Sequence, residues 1–321
     1  MAGELLVQGL TFLVSLIALA KFSQYVIENA LTLSRYFRIG EAVTGFVLIA
    51  VATSLPELAV SIMSSAQGEG AIAVGNVLGS NIADLAVVLG TCAIVTPLLI
   101  KRNELLEISR VLFITSIIPL VLIYTGNLDK FGGLLLVVIF AAYVYYLTKK
   151  KISLTKADNT TRPMALRAFL FFSASILGVL VSSSFAVNST IEISEMTGLA
   201  KTFIGATLIA LGTSLPELAI DLQAVRRGHY SLALGDAIGS AMTNLTLVLG
   251  LTGLINPVVL NQEILVTLML FLLLTNMTFM HFMHTNNRLT RREGLILYGI
   301  FMIYLLAMAG VQLSVVHLLP L

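Results

Sequence analysis

Residues 52–61 read "ATSLPELAVS", a proline beside a glutamate inside an otherwise apolar run, and residues 212–220 read "GTSLPELAI". The six-residue core TSLPEL thus occurs twice, at 53–58 and at 213–218, an offset of 160. Around it, positions 45–90 and 205–250 match at 20 of 46 residues, far above what shared apolar composition usually gives. So long a period is not that of a solenoid, whose repeats run to about 20–50 residues. Half of the chain has been duplicated.

Composition sets the class in which this duplication is read. Hydrophobic residues make up 57% of the chain and charged residues 11%, whereas soluble domains carry about a quarter charged residues. The expectation is an all-α integral membrane protein. A net charge of +2 gives no reason to expect a nucleic-acid partner. The single cysteine, Cys92, lies in an apolar segment and has no partner for an intramolecular disulfide. The first apolar stretch lacks a basic region before it and a small-residue cleavage site after it, so it reads as a retained span.

A stretch of about 20 apolar residues can cross a hydrocarbon core of about 30 Å. Ten such stretches are expected, at 4–32, 42–65, 71–97, 104–125, 131–148, 164–186, 201–225, 231–256, 262–284 and 293–316. One set of connections holds 16 of the 19 basic residues, including Arg35, Arg38, Lys101, Arg102, Lys149, Lys150, Lys151, Arg226, Arg227 and Arg288. The other set holds Lys130 and Lys201, with Lys21 inside the first span. Positive charge marks the cytoplasmic side, which places both termini outside and makes the location a cell membrane. Five spans per half is an odd number, so the second half enters the membrane opposite to the first. Such an inverted-topology repeat puts a transporter's substrate site near the midplane, where the halves meet. The expected domains are a first five-helix repeat, 1–148, with its motif region at about 40–97. A cytoplasmic linker follows at 149–163, "KKKISLTKADNTTRP", then the second repeat, 164–321, with its motif region at about 200–257.

Proline at position 56 donates no hydrogen bond to the carbonyl of Ala52, and its ring pushes on that turn. Backbone carbonyls opened in this way need partners inside a membrane, and cations can serve where the backbone lines a cavity. Ala50, Thr53, Ser54 and Glu57 fall at i, i+3, i+4 and i+7 and so share a helix face rich in oxygen. Ala210, Thr213, Ser214 and Glu217, with Pro216, repeat it. Each half adds a second helix, "GNVLGSNIADL" at 75–85 and "GDAIGSAMTNL" at 235–245, with Ser80 and Asp84, or Ser240 and Asn244, one turn apart. All these donors are hard oxygens without cysteine or histidine, which disfavours zinc, copper and iron. Calcium and sodium, similar in size, suit such a set. A carboxylate at the bilayer centre costs roughly 2.5–3.5 kcal/mol on insertion scales, so it needs a counter-ion or a proton.

With these residues the chain resembles the calcium/cation antiporter superfamily, and within it the microbial sodium/calcium exchanger type. The resemblance spans all ten stretches and rests on the paired signatures G-T-S-L-P-E and G-S-N-I-x-[DN]. It implies alternating access and a diamond of four sites. Calcium would be held by Glu57 and Glu217 with the carbonyls of Thr53 and Thr213. One flanking sodium site would use Ala50, Ser54, Glu57 and Ser240, the other Ala210, Ser214, Glu217 and Ser80. Asp84 and Asn244 would line the central position. Two departures stand out: familiar microbial members carry asparagine in the first repeat and aspartate in the second, reversed here, and Ala52 replaces the usual glycine. The expected activity is exchange of Ca²⁺ for Na⁺, in a transporter rather than an enzyme, with no resident cofactor and the ions as cargo. The alternative is a Ca²⁺/H⁺ antiporter of the same fold. Ser54 and Ser214 favour sodium, and neither repeat carries the G-N-x-x-E pattern of the proton-coupled branch. Oligomeric state is not legible.

Other polar residues have plainer readings. Asp221 and Asp236, which align with Ser61 and Asn76, read as entrance residues or helix caps rather than ligands. Glu28, His281 and His284 read as interfacial groups, Met280 and Met283 as packing, and the basic linker as a topology signal that also suits anionic lipid.

Overall fold

The computed structural model describes residues 2–36, 49–99, 110–115, 117, 127–149, 161–259, 262–286 and 288–318. The described residues are predominantly helical, with short turns and four two-residue strands. The first half contains α1 (Ala2–Tyr36), α2 (Ile49–Thr53), α3 (Leu55–Ala66) and α4 (Gly70–Ala83). A π-helical turn, π1 (Asp84–Val88), leads into α5 (Leu89–Val95), followed by β1 (Leu98–Leu99), β2 (Asn127–Leu128) and α6 (Lys130–Lys149). The second half begins with α7 (Arg162–Thr197), α8 (Lys201–Ile204), the turn π2 (Gly205–Ile209), α9 (Ala210–Thr213) and α10 (Leu215–Arg226). It continues with α11 (Tyr230–Thr243), π3 (Asn244–Val248), α12 (Leu249–Ile255), β3 (Val258–Val259), α13 (Gln262–Asn286), β4 (Arg288–Leu289) and α14 (Arg291–Leu318).

Seven described helical segments are long and apolar enough to cross a membrane: 3–26, 70–95, 162–197, 201–226, 230–255, 262–285 and 291–313; an eighth, 130–146, is shorter. The expected span at 42–65 is seen from residue 49 onward and is broken at Ser54, where α2 ends and α3 begins. Most of the expected span at 104–125 lies outside the described residues. The stretch expected at 164–186 runs on to Thr197, because the polar residues after Val187 do not oppose a helix, and it stops only at Gly198. That glycine takes φ +71°, the left-handed cap that a side chain disfavours.

The 160-residue offset recurs among the described elements. Pairs α1 and α7, α3 and α10, α4 and α11, π1 and π3, and α5 and α12 fall one period apart. Elements of one half pack on the non-equivalent partner of the other: α5 on α14, and α12 on α6. These contacts are close because both sides present glycine. A Cβ on Gly294 would sit 2.7 Å from the Gly90 carbonyl, and one on Gly250 would sit 2.8 Å from that of Gly133. Small residues let membrane helices approach to backbone contact, where lipid supplies no hydrophobic drive between them. The short strands, which no sequence pattern predicts, cross-link the halves in the same way. Antiparallel pairs join Leu98 to Leu289 and Asn127 to Val259.

The core sits where α4 and α11 cross the broken helices. Helix α4 packs on α8, π2 and α9, and α11 packs on α2. A Cβ on Gly79 would lie 2.3 Å from the Ala206 carbonyl, and one on Gly75 2.4 Å from that of Thr202. Helices α1 and α7 run alongside each other and leave many apolar side chains on the outer surface, as expected of a surface that faces lipid. Met280 and Met283 belong to the packed interior; His281, His284 and Glu28 are exposed.

Candidate cation-binding centre

Both TSLPEL segments form the same broken helix. The first helix ends at Thr53 or Thr213, Ser54 or Ser214 forms the junction, and the next helix starts at Leu55 or Leu215 with proline in its first turn. The junction serines accept the first bonds of the next segment, the Leu58 N–H donating to the Ser54 carbonyl at 3.0 Å and the Leu218 N–H to that of Ser214 at 3.1 Å. Glu57 and Glu217 occupy the first turn of the second segment, where the positive end of the helix dipole favours an anion. The preceding segments present their carbonyl ends, so each break brings a helix C-terminus and an anchored carboxylate together. Broken helices of this kind build the ion sites of secondary transporters.

The halves meet at these breaks. Ser54 Oγ lies 2.8 Å from Ser240 Oγ, and Ser80 Oγ lies 3.4 Å from the Ala210 carbonyl and 3.2 Å from Thr213 Oγ1. Ser54 and Ser240 thus face each other across the halves, whereas Ser80 meets Thr213 and the Ala210 carbonyl rather than Ser214. The Glu57 carboxylate lies beside the hydroxyls of Thr213 and Ser80, that of Asp84 beside Ser214 and Ser240. Glu57 thus faces the Ser80 hydroxyl, which the resemblance groups with Glu217. Ala50 lies in α2, one turn before Thr53. Asp84 and Asn244 are the first residues of π1 and π3. A π turn widens the helix by one residue and re-aims the side chain there, and such turns concentrate at functional sites.

Eleven of the twelve expected site residues are buried, Ala50 being the one whose side chain is not described. Glu57 is 0% exposed, Glu217 1%, Asp84 1% and Asn244 0%. Among the described residues, both side-chain oxygens of Glu57, Asp84 and Glu217, both polar side-chain atoms of Asn244 and the Ser214 hydroxyl have no hydrogen-bond partner of normal geometry. A buried carboxylate without donors is strongly disfavoured. This donor set of carboxylates, hydroxyls and an amide suits a hard cation.

One expectation is corrected. Asp221 and Asp236 are neither caps nor rim groups: each lies mid-helix, at 0% and 2% exposure. Thr53 Oγ1 donates to Asp236 Oδ1 at 2.9 Å, and the Asp221 side chain lies beside that of Asp236. Sequence reasoning set these residues aside because no acidic residue aligns with them in the first half. It also passed over Asn76, which accepts from Thr213 Oγ1 at 3.1 Å. The available signal was positional, since 76 and 236 are themselves one period apart. Away from the centre, Lys201 pairs with Glu69 at 2.5 Å and ties the start of the second broken helix to the turn before α4.

Duplicated broken helices that bring buried carboxylates together inside a helical membrane protein define a membrane transporter of cations. The model of the family described as sodium/calcium exchanger protein matches residues 7–149 and 167–310, and the chain belongs to that family. It is 27% identical to the sodium/calcium exchanger MaX1 of Methanosarcina acetivorans, over 94% of this chain and 98% of that one. It is 28% identical to the inner membrane protein YrbG of Escherichia coli, over 76% and 79%. Its fold matches the sodium-calcium exchanger NCX_Mj soaked with Na⁺ and Sr²⁺ at a TM-score of 0.67 and 25% identity, over 93% of this chain and 98% of that one.

Proposed function

We propose that the chain is a secondary antiporter that exchanges Ca²⁺ for Na⁺ by alternating access between the two sides of the membrane. The observation that carries this reading is the meeting of the two TSLPEL breaks around Glu57 and Glu217, with Ser54 against Ser240 and Ser80 against Thr213. In this reading Glu57 and Glu217, with the carbonyls of Thr53 and Thr213, hold calcium. Sodium occupies the flanking positions made by Ser54, Ser240 and Ala50 and by Ser214, Ser80 and Ala210. Asp84 and Asn244 line the centre between them. Calcium and sodium are substrates here, and each competes for the same two carboxylates. Binding of one ion type therefore excludes the other, which is what couples their opposite movements.

The architecture proposed with it is ten transmembrane helices in two inverted five-helix repeats, 1–148 and 164–321, joined by a cytoplasmic linker at 149–163. Both termini lie outside a cell membrane. The support is the 160-residue periodicity of the helices and the strong bias of lysine and arginine to one set of connections. Calcium flux into proteoliposomes, driven separately by a sodium gradient and by a pH gradient, tests the function. Uptake driven by sodium and not by pH is the expected result; uptake driven by pH alone replaces sodium with the proton as the coupling ion.

A further inference from the structure

Two hydrogen bonds outside the ligand set just named are related by the same period. Thr53 Oγ1 donates to Asp236 Oδ1 at 2.9 Å, and Thr213 Oγ1 lies 3.1 Å from Asn76 Oδ1. Residues 53 and 213 are equivalent, and so are 76 and 236. Each bond crosses between halves, from the end of a broken helix to the middle of the other half's second helix: α2 to α11, and α9 to α4. All four side chains are buried. Thr213 Oγ1 has two further neighbours, Ser80 Oγ and the Ala210 carbonyl, each at 3.2 Å.

Both threonines are the last residues of their helical segments, just before the break. The proline three residues on cannot donate to the turn there, so the helical ladder holds the carbonyls of that turn less firmly. A β-branched side chain is stiff about χ1, so anchoring the hydroxyl also fixes the backbone from which it springs. We propose that Asp236 and Asn76 are positioning residues: by holding the Thr53 and Thr213 hydroxyls, they aim the backbone carbonyls of these threonines at the calcium position. The inference rests on the reading in which those carbonyls are calcium ligands. It also explains why an amide serves at one position and a carboxylate at its equivalent, because both offer Oδ1 as an acceptor.

The test is a double-mutant cycle on transport in proteoliposomes, reading half-saturation for calcium and for sodium together with maximal rate. Asp236→Leu and Thr53→Val each remove one partner, and valine keeps both the carbonyl and the shape. Each is expected to raise the calcium half-saturation about tenfold, the worth of one positioned buried hydrogen bond, with the sodium value moving less than about threefold. The double variant is expected to be no worse than the more affected single one, as for two groups acting through one contact. Asp236→Asn, which copies Asn76, is expected to stay within about threefold of the parent, and Asn76→Leu with Thr213→Val to repeat the cycle. The proposal is overturned by additive effects, by equal shifts for both ions, or by an Asp236→Asn protein as impaired as Asp236→Leu. Thr53→Val keeps the first two arms readable if Asp236→Leu does not fold. Glu57→Gln is run beside them: normal calcium exchange in that variant sinks the ligand reading itself, whatever the cycle shows.

Discussion

The hydroxyl oxygens of Ser54 and Ser240 lie 2.8 Å apart although 186 residues separate them in the chain. One belongs to the break of the first half, the other to the second helix of the second half. A single neutral contact thus ties the two halves at the proposed flanking ion position.

Removing that hydroxyl should weaken sodium selectively. In Ser54→Ala and Ser214→Ala one neutral oxygen leaves each proposed sodium position, so the sodium concentration for half-maximal exchange should rise roughly threefold to tenfold. The calcium value should move less. Flux measured against both ions checks it, and equal shifts would assign the serines to packing.

Glu57 and Glu217 each place a buried carboxylate with no hydrogen-bond partner of normal geometry at the meeting of the breaks. The amide in Glu57→Gln or Glu217→Gln keeps the shape and removes the charge, so either change should lower calcium exchange by a hundredfold or more, on the order of 3 kcal/mol per lost charge contact. Elution as a single species in detergent checks that the variants fold. Near-normal flux in either would remove it from the site.

Asp84 and Asn244 open equivalent π turns and exchange the residue types expected of the two repeats. If the centre responds to the number of carboxylates and not to which half carries them, Asp84→Asn combined with Asn244→Asp should keep most of the exchange rate. Asn244→Asp by itself adds a charge to a cluster that already holds Glu57, Asp84, Glu217, Asp221 and Asp236, and should lose more. A double swap as inactive as a glutamate variant would show that the two positions are not interchangeable.

Gly79 has no room for a side chain, since its Cβ would lie 2.3 Å from the Ala206 carbonyl. Gly79→Ala should therefore separate α4 from π2 and destabilise the protein by about 1–3 kcal/mol. Gly299→Ala, where nothing lies within 4 Å, should not. Melting in detergent distinguishes them, and equal melting temperatures would refute close packing at Gly79.

Much of this protein is written in local patterns. The membrane class follows from composition, the duplication from TSLPEL, the breaks from Pro56 and Pro216, and the oxygen donors from i, i+3, i+4 and i+7 spacing. The breaks and the donor faces depend on residues within a turn or two of one another, where backbone geometry leaves few choices, while the class and the duplication need only a count and a comparison along the chain. The domain boundaries and the proposed ligand roles rest on the same patterns.

What the tertiary structure decided involves partners far apart in the chain. Asp236 looked like a cap because nothing in its own helix explains a carboxylate there; its reason is Thr53, 183 residues away. The π turns at Asp84 and Asn244 leave no mark in composition, because one extra residue in a turn costs little locally and is settled by how the helix packs on its neighbours. The β bridges between residues 98 and 289 and between 127 and 259 likewise exist only once the halves have docked. A short-range code can place oxygen on a helix face, but which oxygens meet is determined by glycine-mediated contact between the two copies.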